Sequence, residues 1–158
     1  MLVLISAILI CAIESTIAAC PHGFEINDGT CYFFSHGEET WFGAYESCKL
    51  FGSMLVEVNS ADENIYLYNK TSTLGDSNSW WMGLTDKLVE GEYVWETSKH
   101  VLVVDEYTDW AVGEPNNHHD ENCVKFAHSK GFLWQDTECD DEEHYICEKL
   151  DDSGEIVG

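Results

Sequence analysis

Arginine is absent from the sequence, and the seven basic residues are all lysines, against 30 aspartates and glutamates. The formal net charge of the 158-residue chain is therefore −23 at pH 7. A chain with this charge repels nucleic acids, sulfated glycans and anionic membranes, and it attracts divalent cations and basic proteins. The shortage of positive charge thus argues against nucleic acid as a partner.

Long apolar runs are also missing, except at the N-terminus. Leu2 to Ile13 are almost all apolar, and the segment ends in the small residues Ala18 and Ala19, a pattern typical of a secretory signal peptide. The run is too short to span a bilayer, so we expect no membrane insertion. We predict that residues 1–19 are removed and that the protein is secreted; the alternative is that this segment forms a first core strand.

Six cysteines lie outside the predicted signal peptide. An even number in a secreted chain indicates a disulfide framework. Six cysteines allow fifteen pairings, so their spacing alone leaves the connectivity open. They do not follow the Cys-X-X-Cys or Cys/His spacings of structural zinc sites.

Local patterns in the first half predict one hairpin and two helices. A tight-turn signal between apolar stretches predicts a β-hairpin over 20–34. A helix is predicted over 40–51, where Thr40 can cap it, and a second over 60–74, where Ser60 and a glutamate three residues later form a capping box. The predicted buried stripe of the first helix consists of Trp41, Ala44, Cys48 and Phe51.

The second half reads as short strands interrupted by one long loop. Regular periodicity is lost from residue 99 to residue 121, and a loop of this length in a compact domain is either functional or disordered. A polar tail follows at 151–158. Short strands are predicted over 53–60, 79–86, 91–97, 122–128, 131–136 and 143–150. Two helices early in the sequence, followed by short strands later in it, indicate an α+β domain over 20–150.

Tryptophan is frequent in these strand-like motifs. A row of tryptophans could serve as a platform on which sugar rings stack, but their place within the strands favours a core role. The residues concerned are Trp80, Trp81, Trp95, Trp110 and Trp134.

The long loop ends in a cluster of side chains that carry oxygen atoms. Within nine positions it contains Glu114, Asn116, Asn117, Asp120, Glu121 and Asn122, with Pro115 among them. Carboxylate and amide oxygens are the ligands that Ca²⁺ prefers. Because the whole chain is acidic, the cluster could also be an ordinary solvated loop.

Several motifs occur together and in order: "WWMGL", "YTDWAVGEPNN", "ENCV", "LWQD" and "YICE". In this order, and with the six cysteines, residues 20–149 resemble the C-type lectin domain family. The build is similar to that of the small secreted invertebrate lectins of the perlucin type. The resemblance implies an α+β C-type lectin fold with two helices, short antiparallel sheets, a long ion-binding loop and three disulfides. The implied pairs are Cys20–Cys31, Cys48–Cys147 and Cys123–Cys139.

The resemblance also implies that the loop binds Ca²⁺ and that the ion binds a sugar through two vicinal hydroxyls. The implied metal ligands are Glu114, Asn116, Glu121, Gln135 and Asp136. The implied carbohydrate-binding residues are Glu114, Asn116, Glu121, Asp136 and His118. Glu-Pro-Asn at 114–116, with a cis proline, is similar to the version associated with mannose-type sugars, namely mannose, fucose, glucose and N-acetylglucosamine.

Two features depart from the family pattern. Gln135 stands where the family usually has asparagine, and its amide lies about 1.5 Å further from the backbone. Either the backbone adjusts or water replaces this ligand, so we expect weaker Ca²⁺ binding and altered sugar binding. An auxiliary ion site is implied at Asp86, Glu90, Asn117 and Asn122, together with Glu121. Relatives often have aspartates at two of these positions, so a loss of charge should weaken this site.

Two further surface features carry hypotheses. Asn69 begins an Asn-Lys-Thr triplet, which is an N-glycosylation acceptor in a secreted protein. His118 could flank a bound sugar or be a solvated loop residue, and with His119 and Asp120 it could bind a transition metal.

The sequence therefore predicts a secreted, calcium-dependent lectin with a preference for mannose-type sugars, which would suit innate immune recognition of glycans. The alternative is an acidic extracellular or shell-matrix protein that uses the same scaffold to bind calcium mineral or protein partners. No nucleophile beside a base marks an enzyme. A single weak site would gain avidity from oligomerisation.

Overall fold

The computed structural model describes residues 20–74, 77–116, 118 and 120–150. The predicted signal peptide (1–19) and tail (151–158) lie outside the described residues. The described elements are β1 (Glu25–Asn27), β2 (Thr30–Phe34), α1 (Trp41–Leu50), β3 (Met54–Leu55), α2 (Ala61–Thr73), β4 (Trp80–Thr85), β5 (Val94–Trp95), β6 (Cys123–Ala127), a 3₁₀ turn (His128–Lys130), β7 (Leu133–Thr137) and β8 (His144–Leu150).

The predicted hairpin and both helices are present, and local chemistry explains their ends. Asp28 and Gly29 turn the hairpin at φ 47° and 77°, values that an Asp-Gly turn tolerates. The Thr40 hydroxyl caps α1 by accepting a hydrogen bond from the Gly43 amide at 3.2 Å. One prediction was wrong: Phe51 is 48% exposed, because α1 ends at Leu50 and Phe51 is its C-cap.

Helix α2 begins with a modified capping box. Ser60 Oγ accepts a hydrogen bond from the Glu63 amide at 3.2 Å, as predicted. The Glu63 carboxylate in turn accepts a hydrogen bond from the Asn59 amide at 2.8 Å. In a standard capping box it would accept from the amide of the N-cap residue, which here is Ser60. The helix packs on the sheet partly through Asn64, whose side-chain oxygen accepts from Trp134 Nε1 at 2.9 Å.

The strands form a mixed sheet in the order β1-β2-β8-β4-β6-β7, with β3 on β8 and β5 on β4. All pairs are antiparallel except β4–β8, which is parallel. The predicted strands at 53–60 and 91–97 shorten to two residues each. This topology brings the end of β4, the start of β6 and the end of β7 to one edge, below the long loop.

The predicted core tryptophans are confirmed as core residues. Trp80, Trp81, Trp95 and Trp134 are buried, and Trp110 packs against them while partly exposed. Trp134 makes edge contacts with Trp95 and Trp110, at ring-centroid distances of 6.0 and 5.7 Å. These side chains stabilise the sheet and are not available as a sugar-stacking platform.

All three implied disulfides form. Cys20–Cys31 closes the hairpin region, Cys48–Cys147 joins α1 to β8, and Cys123–Cys139 joins β6 to the turn after β7. Cross-linking residues 99 positions apart stabilises the fold by about 4 to 5 kcal/mol in the chain-entropy description. Within the described residues, no helix has the length and apolar character needed to cross a bilayer.

Candidate ligand site in the long loop

Residues 96–122, between β5 and β6, follow an irregular path that is fastened to β7. The Ala111 amide donates to Trp134 O at 2.9 Å, and the Trp134 amide donates to Asp109 O at 2.8 Å. These two hydrogen bonds hold the loop beside the strand that carries Asp136. The predicted long loop is therefore ordered where it approaches the candidate site.

The first group of site residues is joined by direct hydrogen bonds. Asn116 Nδ2 donates to Glu114 Oε2 at 2.8 Å, and the Asn116 amide donates to Asp136 Oδ1 at 3.2 Å. The intervening Glu114–Pro115 peptide bond is cis, as the family resemblance implied. Burial and the adjacent Asp136 carboxylate raise the pKa of Glu114. The structure thus brings together three of the residues predicted to surround the ion.

Two contacts of this group were not predicted. The Tyr93 hydroxyl donates to Asp136 Oδ2 at 3.1 Å, and Lys130 Nζ lies 3.8 Å from Glu114 Oε1. Burial and the charge of Asp136 raise the pKa of Tyr93, so this hydroxyl stays a donor. Tyr93 reads as a core residue in the sequence, and nothing there indicates that its hydroxyl reaches a residue 43 positions away.

The second group surrounds Asp86, at the end of β4. Asp86 is 1% exposed. Its Oδ2 accepts from the Gly91 amide at 2.8 Å, and its own amide donates to Asn122 O at 3.2 Å. Burial raises the pKa of Asp86, and the charge of Asp136 adds to the effect. Asp86 and Asn122 are therefore neighbours, Glu90 is exposed in the turn that follows Asp86, and Asn117 lies outside the described residues.

Two buried carboxylate oxygens at this site have no hydrogen-bond partner among the residues that the structure describes: Asp86 Oδ1 and Glu121 Oε2. A buried oxygen in this state is costly unless a cation or donor satisfies it. In the described part of the chain, no three His, Cys, Asp or Glu side chains are grouped so that they alone could hold a metal ion. A bound ion would therefore also need amide oxygens such as those of Asn116 and Asn122, which is a donor set suited to Ca²⁺.

The remaining predicted site residues occupy different positions. His118 is exposed, and its amide donates to Asn116 Oδ1 at 2.9 Å; His119 lies outside the described residues. Gln135 is half-buried in β7 opposite Lys125. Alternation along the strand turns it to the other face from Asp136, so the geometry leaves its role as an ion ligand a prediction.

The predicted glycosylation acceptor Asn69 lies exposed on α2. The hydroxyl of Thr71, the third residue of the triplet, is buried and donates to Leu67 O at 2.9 Å. Because α2 engages this hydroxyl, any attachment of a glycan would have to precede folding of the helix. Glycosylation at this position stays a prediction.

Comparison with known proteins places this geometry in a family context. The family profile "Lectin C-type domain" matches residues 37–149. Perlucin of Haliotis laevigata is 32% identical over 132 residues, which cover 82% of this chain and 83% of perlucin.

Two solved structures resemble the fold. The carbohydrate-recognition domain of cow CD23, solved in the presence of a GlcNAc2Man3 oligosaccharide, has a TM-score of 0.72 and 28% identity, covering 85% of this chain and 98% of that one. A calcium-independent type II antifreeze protein has a TM-score of 0.74 at 22% identity, covering 87% and 99%.

Proposed function

Because this chain belongs to the C-type lectin domain family, we propose that its carbohydrate-recognition domain binds sugars in a calcium-dependent way at the end of the long loop. The family consists of binding proteins rather than enzymes. The observation that carries the proposal concerns one carboxylate oxygen of Asp86 and one of Glu121, which are buried without a hydrogen-bond partner among the described residues. A buried oxygen of this kind needs a cation or a hydrogen-bond donor to satisfy it.

Glu114, Asn116, Glu121 and Asp136 would hold the ion, with Gln135 as a further ligand if β7 adjusts. Bound Ca²⁺ would supply open coordination positions for two vicinal hydroxyls of the sugar. The carboxylate of Glu114 would accept a hydrogen bond from a sugar hydroxyl, and the amide of Asn116 would donate one to a hydroxyl. Tyr93 orients the Asp136 carboxylate through the 3.1 Å hydrogen bond.

Mannose-type specificity is part of the proposal, on the strength of the Glu-Pro-Asn triplet at 114–116. His118 is exposed beside Asn116 and would flank the sugar. Asp86, Glu90, Asn117 and Asn122 would form the auxiliary ion site. Of these, buried Asp86, with one carboxylate oxygen unpartnered, favours the site most strongly.

We further propose that the protein is secreted after removal of residues 1–19, that residues 20–150 form a C-type lectin domain followed by an acidic tail, and that it recognises glycans in innate immunity. The three disulfides suit an oxidising compartment. The N-terminal sequence of protein recovered from the culture medium would test the cleavage before Cys20.

The test of the sugar proposal is retention on immobilised mannose and immobilised galactose, with calcium and with a chelator. We expect retention on mannose that is lost on chelation and is weaker on galactose. Glu114→Gln should lose retention while keeping the melting temperature within a few degrees. Equal retention with and without the chelator would contradict the proposal.

A second candidate function is binding of calcium mineral or of protein partners by an acidic matrix protein. The net charge of −23 and the place of Gln135 on the other face of β7 favour it, and the fold also occurs in a protein described as calcium-independent. Adsorption to calcium carbonate that persists in the Glu114→Ala and Asn116→Ala variants, together with absent sugar retention, would favour this candidate.

A further inference from the structure

A second concave surface lies away from the long loop, between the β1–β2 hairpin and the first turns of α2. Its volume is about 680 Å³. The hairpin forms one wall, α2 the other, and the end of β8 the floor. None of the residues proposed for ion or sugar binding lines it, so this groove, termed the hairpin groove below, needs its own explanation.

The lining of the hairpin groove is acidic. Its described lining residues include the acidic side chains Asp28, Asp62 and Glu63, together with Glu148, whose pKa is raised by burial so that it stays protonated at neutral pH, and none of them is lysine, arginine or histidine. The nearest lysine on α2, Lys70, pairs with Glu25 outside the lining. The groove therefore concentrates negative potential between two walls, which attracts cationic groups.

The carboxylates of the groove are fixed in place. Glu63 Oε1 accepts from the Tyr32 hydroxyl and Oε2 from the Asn59 amide, both at 2.8 Å. Glu148 is 5% exposed, and its Oε1 accepts from the Glu57 amide at 2.8 Å. Acceptors held in this way need little reordering when a donor arrives, and this favours binding.

Apolar and aromatic surface adjoins these charges. Ile65 is 55% exposed and Leu150 is 74% exposed, and both line the groove. The rings of Tyr32 and Tyr66 lie 5.2 Å apart, and the buried Tyr66 hydroxyl has no hydrogen-bond partner in the described structure. Lysine and arginine side chains suit such a surface, because their stems pack on apolar groups while their heads meet carboxylates.

A helix-capping role accounts for only part of the groove. Acidic residues in the first turn of a helix are favourable on their own, which explains Asp62 and Glu63. It does not explain Asp28 on the opposite wall, the buried Glu148, or the two exposed aliphatic side chains between them.

Charge also decides which occupant fits. Leu150 lines the groove, and the sequence that follows it, residues 151–158, has three acidic side chains and no basic one, so it does not complement the charge of the groove. A second copy of a chain with net charge −23 is disfavoured for the same reason. We propose that the hairpin groove binds a protein segment in which lysine or arginine alternates with aliphatic residues.

The test uses three six-residue fluorescent peptides, in which lysine alternates with leucine, lysine with serine, or serine with leucine. Binding is measured by anisotropy on protein recovered from the culture medium, in excess chelator and about 150 mM NaCl. All proteins carry Asn69→Gln, because Asn69 lines the groove. We expect the lysine–leucine peptide to bind best, since it alone offers both charge and apolar surface.

Two double variants, each of which removes two negative charges, distinguish binding in the groove from attraction to the overall negative charge of the protein. Asp28→Gly with Asp62→Asn should weaken binding of the lysine–leucine peptide about fivefold, and Ile65→Gln should weaken it to a similar degree. Asp140→Asn with Glu142→Gln, in an exposed turn, removes the same charge elsewhere and should change binding less than about twofold.

Amide NMR shifts confined to α2 and the hairpin would support the proposal. Equal weakening by the two double variants, or no binding of the lysine–leucine peptide at about 1 mM, would overturn it. Because the chelator is present throughout, neither result depends on the calcium-dependent sugar site.

Discussion

Buried carboxylates occur in two regions of the protein, and the two sets differ in their partners. The sheet carboxylates, Glu57 and Glu148, accept backbone hydrogen bonds. Glu57 Oε1 accepts from the Thr97 and Ser98 amides, both at 2.9 Å, and Glu148 Oε1 accepts from the Glu57 amide at 2.8 Å. The second set lies around the end of the long loop and is termed the loop carboxylates: Asp86 after β4, Glu114, Glu121, and Asp136 in β7. Among the described residues, two of their oxygens have no hydrogen-bond partner.

This difference separates structural acids from candidate ligands. A buried charge costs several kcal/mol unless it is hydrogen-bonded or paired. In the sheet set, backbone amides supply the partners, and Glu57 thereby fixes the start of the long loop. Glu148 has one such partner and a raised pKa, so it stays neutral at neutral pH. In the loop the need is left open, and this is the arrangement expected where an external cation completes the site. Burial alone would not have distinguished the two sets.

Glu57→Ala should have the largest effect on stability. The amides of Thr97 and Ser98 lose the buried carboxylate that accepts from both of them, so we expect the free energy of unfolding to fall by about 2 kcal/mol. Urea unfolding followed by tryptophan fluorescence measures this, with the exposed Glu142→Ala as a matched control. The loss should be equal with calcium and with a chelator; a loss seen only with calcium would show that Glu57 belongs to the ion site.

Glu148 should make the stability of the protein depend on pH. Burial raises the pKa of Glu148 to about 8, from 4.5 in the unfolded chain. Between these values the folded protein holds a proton that the unfolded chain has released, so stability falls as pH rises. We expect wild-type protein in chelator to lose about 2 kcal/mol more than Glu148→Gln between pH 5 and pH 7. Parallel urea titrations of the two proteins would refute this if their pH profiles coincided.

Asp86→Asn should act in the opposite direction from Glu57→Ala. In chelator it removes a buried charge that faces Asp136 while leaving an oxygen for the Gly91 amide, so stability should rise by about 1 kcal/mol. With calcium present the variant should gain less stability than wild type. Differential scanning calorimetry in both buffers measures the two effects. If the variant melted at a lower temperature than wild type in chelator, Asp86 would be a structural acid like Glu57 and not a candidate ion ligand.

Gln135→Asn should have the smallest effect. If β7 adjusts so that residue 135 faces the ion, the asparagine supplies the shorter amide that the family usually has there, so we expect affinity for mannose to rise about threefold. Competition binding in calcium measures it. Unchanged affinity would mean that this position lies outside the ion's reach.

Much of the fold could be predicted, because its signals are local or come from motifs in order. The caps Thr40 and Ser60 and the three disulfide pairs are confirmed. Glu114, Asn116 and Asp136 lie together, while their role as ion ligands stays a prediction. What could not be predicted depends on long-range contacts. Periodicity placed Phe51 inside, but the helix ended before it.

The burial of the sheet carboxylates also could not be predicted from the sequence. Glu57 and Glu148 are 91 positions apart where they meet, and in the sequence both resemble ordinary polar residues of a strand. The hydrogen bond from the Tyr93 hydroxyl to Asp136 is likewise not indicated by the sequence. Only the folded chain shows which acids have partners.

Isothermal titration of calcium into the oxidised protein tests the central distinction most directly. We predict saturable calcium binding below about 1 mM, lost in Asp136→Asn and preserved in Glu148→Gln, since only the loop carboxylates await a cation. If calcium added to wild-type protein up to several millimolar gave no more heat than calcium added to buffer, the account would be contradicted. Equal calcium binding by the two variants would contradict it as well.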